Sequence, residues 1–161
     1  MDPLRVRPAR PEDGPRLLEL ERELARFEKL PEPDAEEGAR LLAWIFDDAR
    51  GDALVAERGG RIEGLAVFYE GWNSFRARPC LYLEDLVVAA EARGRGAGEA
   101  LLSAVAREAV RRGAARVEWA VLDWNESALA FYRALDARPQ AEWLRYSLEG
   151  DALDRLARRA E

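Results

Sequence analysis

The chain contains no histidine. Acid–base chemistry near neutral pH therefore falls to carboxylates, tyrosine, lysine, cysteine or water. Cysteine is scarce as well: Cys80 stands alone. That excludes an internal disulfide, and with no imidazole to activate the thiol it argues against covalent catalysis. Lys29 is the sole lysine, arginine supplying every other positive charge. With abundant Ala, Gly and Pro, this bias fits a GC-rich coding sequence and is assigned no function. No apolar run approaches the ~20 residues of a membrane span. The opening Met-Asp-Pro-Leu-Arg-Val has neither the basic start nor the apolar stretch of a signal peptide. The expected location is cytoplasmic, with no membrane partner.

Positive charge is also in deficit, 25 basic against 31 acidic residues, for a net charge of −6. That balance disfavours nucleic acid as a partner and mildly favours a cationic one. At 161 residues the chain suits one domain, expected to span 1–161, with a sizeable core.

Periodicity supplies the elements. Leu4 and Val6 alternate with Arg5 and Arg7 as a short strand. Asp13 is a candidate cap for a helix stacking Leu17, Leu18, Leu20, Leu24 and Phe27, which Pro31 and Pro33 break. A second helix is expected from about Ala35 to Phe46. The residues on either side of Gly59-Gly60, Ala53–Glu57 and Arg61–Tyr69, read as a β-hairpin. A strand over Leu81–Val88, a helix from Ala97 to Arg112 stopped by Gly113, and a strand over Val117–Leu122 follow. Asn125 is a suitable cap for a helix through about Leu135. Arg145–Leu148 is expected as a last strand and 151–160 as a terminal helix. The order is β-α-α-β-β-β-α-β-α-β with a C-terminal helix, an α/β (α+β) fold with a mixed sheet.

The most informative stretch is Leu-Tyr-Leu-Glu-Asp-Leu-Val-Val-Ala-Ala-Glu-Ala-Arg-Gly-Arg-Gly-Ala-Gly over 81–98. Strand, glycine loop and helix start together aim backbone N–H groups at a phosphate. The spacing decides which phosphate. A dinucleotide fingerprint needs its third glycine one position later, and a P-loop needs Gly-Lys-Ser/Thr where Gly98 is followed by Glu99. What is present is Arg-x-x-Gly-x-Gly: Arg93, Gly96, Gly98.

This pattern resembles the acyl-CoA signature of the GCN5-related N-acetyltransferases (GNAT). Leu-Tyr-Leu-Glu-Asp over 81–85, Leu-Asp-Trp-Asn-Glu-Ser-Ala-Leu-Ala-Phe-Tyr over 122–132 and Leu-Ala-Arg-Phe-Glu over 24–28 are similar to its diamine/polyamine branch. Thialysine and other amino-acid acetyltransferases share much of the same pattern. The resemblance implies the GNAT fold and acetyl-CoA as cosubstrate, with no metal. It implies that the backbone of Leu86, Val87 and Val88 pairs with the pantetheine arm. Arg93, Gly94, Arg95, Gly96, Ala97 and Gly98 would hold the pyrophosphate, Asn125 the cofactor arm, and Tyr132 would face the thioester sulfur. Glu28, Glu84 and Asp85 would contact a cationic amine, with Trp143 walling the acceptor pocket. A homodimer is implied by the family alone. Two positions depart from the pattern: Asp136 stands where the family has glycine, and the acceptor-side aromatic before the Leu81 strand is Trp72 or Phe75.

The residues carry a chemistry of their own. Glu84 and Asp85 interrupt an apolar strand, where unpaired charge is costly. In a regular strand they point to opposite faces, so only a β-bulge admits both to one cleft. An aliphatic ammonium of pKa ~10.4 is neutral in only about one molecule in 2,500 at pH 7, so a proton must leave before attack. Glu84 is the expected base, directly or through water, and Tyr132 the donor to the departing thiolate. The expected function is acetyl transfer to a primary amine of a small diamine- or polyamine-like cation, by direct attack. Amino-acid, antibiotic-amine or protein N-terminal acceptors stand as alternatives, as does a non-catalytic acyl-CoA-binding module.

Overall fold

Strand β1 (Leu4–Pro8) opens the chain in a computed structural model that describes residues 2–160. Helix α1 (Gly14–Glu28) follows, with Leu17 and Leu20 buried. Asp13 does not cap α1 with its side chain. Its Oδ2 accepts instead from Arg7 Nη1 at 2.7 Å and from the Arg10 N–H at 2.8 Å. A buried carboxylate needs a charged partner more than a helix amide does, and the Arg7 hydrogen bond holds Asp13 below the usual carboxylate range. Helix α2 (Ala35–Phe46) begins where the sequence predicts. Its capping box is reciprocal: Glu37 N–H to Asp34 Oδ1 at 2.8 Å, and Asp34 N–H to Glu37 Oε2 at 2.9 Å.

Strands β2 (Asp52–Arg58) and β3 (Arg61–Asn73) form the expected hairpin. Gly59 and Gly60 take φ of 56° and 76°, the mirror-image turn whose twist suits the flanking strands. Strand β4 (Arg78–Val88) runs antiparallel to β3. Helix α3 (Ala97–Arg111) then leads to β5 (Val117–Glu118), parallel to β4. The sheet order is β1-β2-β3-β4-β5.

Helices cover both sheet faces. Leu65 and Val67 of β3 pack with Leu17 and Leu20. Gly64, of the opposite parity, meets α3: a Cβ there would stand 3.0 Å from Leu101 Cδ1 and 3.0 Å from the Val87 carbonyl oxygen. Both faces being covered, β3 reads as an apolar run rather than an alternation.

The site is positioned by a register shift. Val67 lies opposite Asp85 and Phe68 opposite Leu83, leaving Glu84 as an extra residue, the bulge that two acids in one cleft require. Directly opposed residues share a face, so Leu83 follows Phe68 while Asp85 follows Val67 to the α1 side. Val87 accordingly packs in the α1-side core. A second shift in the β2–β3 pairing leaves Glu63 as the extra residue of β3.

Two strand expectations fail. β5 ends at Glu118 rather than Leu122, pairing β4 only at Leu81 and Tyr82; the bulge bends β4 two residues later, and a ladder does not survive that divergence. No strand forms over 145–148, where Tyr146 is 90% exposed with no strand partner among the described residues. A strand without an edge to join has nothing to satisfy its backbone.

The chain divides after Leu122 into two compact units. The second carries helix α4 (Glu126–Ala134) and helix α5 (Gly150–Ala157). Asn125 caps α4 as expected, its Oδ1 accepting from the Ala128 N–H at 3.2 Å.

Candidate active site

The bulge brings Asp85, half-buried, toward α1, with Glu84 exposed beside it. Burial, then Glu84 and Glu28, push Asp85 up to about 7. Glu28, the last residue of α1, is also raised, by burial. A fourth carboxylate joins them that the sequence reading missed. Glu21, two turns before Glu28, is pushed up to about 8, first by burial and then by Asp85, Glu84 and Glu28. Its Oε1 is inaccessible and has no hydrogen-bond partner. The signal was available: Glu21 falls at helical spacing between Leu17 and Leu24, a charge on the stripe that α1 buries.

On the same strand, Leu86 and Val88 are half-buried, and Val87 is 3% exposed. Any ligand contact at Val87 is therefore confined to its backbone. Beyond Tyr82 no described strand pairs with the β5-facing edge of β4. That edge offers hydrogen bonds to an extended ligand as it would to another strand.

The glycine loop leads directly into α3. Gly94 and Gly96 have φ of 72° and 87°, and a Cβ at either would meet no atom within 4 Å. Gly96 is the N-cap, Ala97 is buried and Gly98 half-buried in the first turn. Positive φ turns the backbone in a way that L side chains resist, and the open space beside it admits a phosphate to the N–H groups and the positive end of the helix. The loop thus fits a pyrophosphate.

Its two arginines are anchored by protein groups. Arg93 Nε donates to the Val88 carbonyl at 3.1 Å, its Nη2 lies 3.8 Å from Glu23 Oε1, and the guanidinium covers the Phe27 ring at 5.3 Å. Arg95 Nη1 lies 3.3 Å from Glu63 Oε1, so the bulged Glu63 faces the loop. Both arginine side chains remain exposed, at 47% and 40%.

In the second unit, Tyr132 is half-buried on α4, its ring 5.3 Å from that of Phe131. Asn125 is half-buried, and Trp143 is 74% exposed. Trp72 and Phe75, the two candidates for an acceptor-side aromatic, are 78% and 94% exposed.

Comparison with known proteins decides the class. A family profile described as "Acetyltransferase (GNAT) family" matches residues 15–136. The chain belongs to the GNAT acetyltransferase family. Family members transfer an acetyl group from acetyl-CoA to an amine, and the chain is an N-acetyltransferase. It is 33% identical over 167 residues to the thialysine N-epsilon-acetyltransferase of Mus musculus, covering 96% of this chain and 98% of the mouse protein. It is 40% identical over 95 residues to L-ornithine N5-acetyltransferase NATA1 of Arabidopsis thaliana, a match spanning 59% of this chain and 42% of that protein. The fold agrees with a solved integron cassette protein of V. cholerae at a TM-score of 0.82, with 22% identity over 96% of this chain and 97% of that one. Within the GNAT frame, the glycine loop at the start of α3 and the bulged β4 are the elements that the sequence reading assigned to cosubstrate and acceptor.

Proposed function

We propose that this GNAT enzyme acetylates a primary amine of a small aliphatic cation, diamine- or polyamine-like, by direct attack on acetyl-CoA. The observation that carries the reading is the acidic face around the β4 bulge: Asp85 half-buried and raised to about 7, with Glu84 and Glu28 acting on it. A cation is the ligand that relieves such a cluster. A base with pKa near the working pH is also what an ammonium substrate needs.

The proton acceptor in this reading is Asp85. Glu84, expected from the sequence to be the base, lies exposed on the bulge and is given the role of drawing in the cation. The edge of β4 at Leu86 and Val88, which no described strand covers, holds the pantetheine arm. Gly94, Gly96, Gly98 and the intervening amides hold the pyrophosphate, with Arg93 and Arg95 supplying charge. Asn125 bonds the cofactor arm, Tyr132 donates to the departing thiolate, and Trp143 walls the acceptor. A cytoplasmic homodimer completes the proposal.

A second reading, an amino-acid acceptor, is favoured by the mouse and Arabidopsis relatives, whose names specify thialysine and ornithine. A thiol-release assay with acetyl-CoA across diamines, polyamines, thialysine, ornithine, aminoglycosides and uncharged arylamines tests both. Turnover with aliphatic cations is expected. Activity confined to uncharged acceptors would overturn the acidic site, and acetyl-CoA binding without thiol release from any amine would indicate a non-catalytic module.

A further inference from the structure

Glu63, the extra residue of β3, reaches both ends of the segment that leads through the glycine loop. Its carbonyl accepts from the Ala89 N–H at 2.8 Å. Its Oε1 lies 3.3 Å from Arg95 Nη1, and its Oε2 lies 3.2 Å from Arg58 Nε. Arg58, the last residue of β2, closes the circuit. Its Nη2 donates to the Arg95 carbonyl at 3.2 Å and its Nη1 to the Asp2 carbonyl at 3.1 Å. The Arg58 and Glu63 side chains are each only 12% exposed.

The Arg95 carbonyl controls its neighbour. Gly96 has no Cβ to restrict it, so the peptide joining Arg95 to Gly96 can turn about the bonds that flank it. The following peptide is held by α3, whose Ala100 N–H donates to the Gly96 carbonyl at 3.0 Å. Arg58 holds the one before. In a planar trans peptide the N–H points opposite to the carbonyl. With the Arg95 carbonyl turned toward Arg58, the Gly96 N–H is turned away from the hairpin. This amide belongs to the N-cap of α3, where the positive end of the helix strengthens its pull on an anion.

We infer that Arg58 is a positioning residue for cosubstrate binding: by holding the Arg95 carbonyl it aims the Gly96 N–H at the pyrophosphate of acetyl-CoA. The inference rests on the proposed pyrophosphate role of the glycine loop and adds the residue that sets its geometry. Arginine suits the task, because its planar fork serves three acceptors from three segments at once, whereas lysine is a compact point charge. Glu63 keeps the fork in place through a charge-assisted contact. The competing account is charge alone, since any cation near a phosphate attracts it. Lysine at this position keeps the charge and loses the fork, and so separates the two.

The test uses the full chain labelled with nitrogen-15 and two probes: CoA, and pantetheine, which lacks the phosphates. Each is titrated into the wild type and Arg58→Lys, and the affinity and the Gly96 amide resonance are read from the same spectra. In the wild type, CoA should move the Gly96 amide proton downfield as it bonds a phosphate oxygen. Arg58→Lys should bind CoA about tenfold more weakly, the lower end of what a hydrogen bond to a charged group is worth. It should lose most of the Gly96 shift and bind pantetheine within about twofold of the wild type. Arg58→Met keeps the aliphatic stem with neither charge nor donor; it should lose the same shift and decides the matter where the lysine variant does not fold. Undiminished CoA affinity and Gly96 shift in Arg58→Lys overturn the inference in favour of charge alone. Equal losses for CoA and pantetheine overturn it in favour of a general distortion of the fold. A wild-type Gly96 amide that does not respond to CoA overturns the pyrophosphate reading of the loop itself, and the role of Arg58 with it.

Discussion

The backbone N–H of Ala90 donates to Glu23 Oε1 at 2.7 Å. One carboxylate of α1 thereby fastens the turn that enters the glycine loop, and the same oxygen lies 3.8 Å from Arg93 Nη2. Two substitutions separate its roles. Glu23→Gln keeps an acceptor for the Ala90 N–H and removes the charge that competes for Arg93, so acetyl-CoA should bind as tightly as to the wild type or up to about threefold more tightly. Glu23→Ala loses the anchor and should weaken binding about three- to tenfold, the net worth of one typical hydrogen bond. Calorimetric titration with acetyl-CoA distinguishes them, and equal losses in both variants would contradict the anchoring role.

Tyr132 is the group assigned to the leaving thiolate. Tyr132→Phe retains the ring against Phe131 and deletes the donor, so turnover should fall roughly 100-fold, the usual worth of a general acid. Acetyl-CoA affinity should stay within about twofold. An unchanged kcat would remove the assignment.

The raised carboxylates give stability a definite pH dependence. Asp85 moves from its ordinary 3.8 to about 7 and Glu21 from 4.5 to about 8. In the unfolded chain both lose their protons near pH 4, while the folded chain keeps them to pH 7 or 8. The folded state thus binds more protons across that window, and these groups make stability fall as pH rises through it. Glu21→Gln and Asp85→Asn should match the wild-type Tm near pH 4 and exceed it by several degrees near pH 8.5, where about 1 kcal/mol is worth 2–4 °C. Calorimetric melts of the apo-protein at the two pH values check this, and a gain at the acid end would reverse the sign of the argument.

Asp136 adopts φ of 61° just after α4, the left-handed conformation that suits the glycine of the family pattern at this position. An aspartate there bears strain that glycine does not. Asp136→Gly should therefore stabilise the chain by up to about 1 kcal/mol, read as a Tm rise of a few degrees, with no change in acetyl-CoA affinity.

Much of this was legible in the residues because the signals were local. Gly59-Gly60 and Gly113 each impose their structure on their own neighbourhood, and the hairpin and the end of α3 lie where those signals put them. The glycine loop was legible for the same reason. β5 was not: its length is set by the course of β4, a long-range fact that Val117–Leu122 does not carry. Arg145–Leu148 has the alternation of a strand, but a strand needs a partner edge and sequence pattern does not provide one. Glu84-Asp85 stood out as charge in an apolar strand, and the bulge named as the condition for both acids to share a cleft is present. Glu21 was overlooked although it falls on the apolar stripe of α1, because one glutamate in a charge-rich helix looks solvated until the helix is docked.

The bulge at Glu84 makes chain length at that point a matter of handedness. Leu83 and Asp85, which an uninterrupted strand would place on one face, are turned to opposite faces by a single inserted residue. Removing that residue would not trim the proposed acceptor site; it would roll every position on one side of it onto the opposite face, carrying the carboxylate to the α3 face or Leu83 out of its packing. Substitutions can therefore tune the proposed acceptor site gradually, whereas a one-residue deletion between Leu83 and Asp85 abolishes its geometry in a single step.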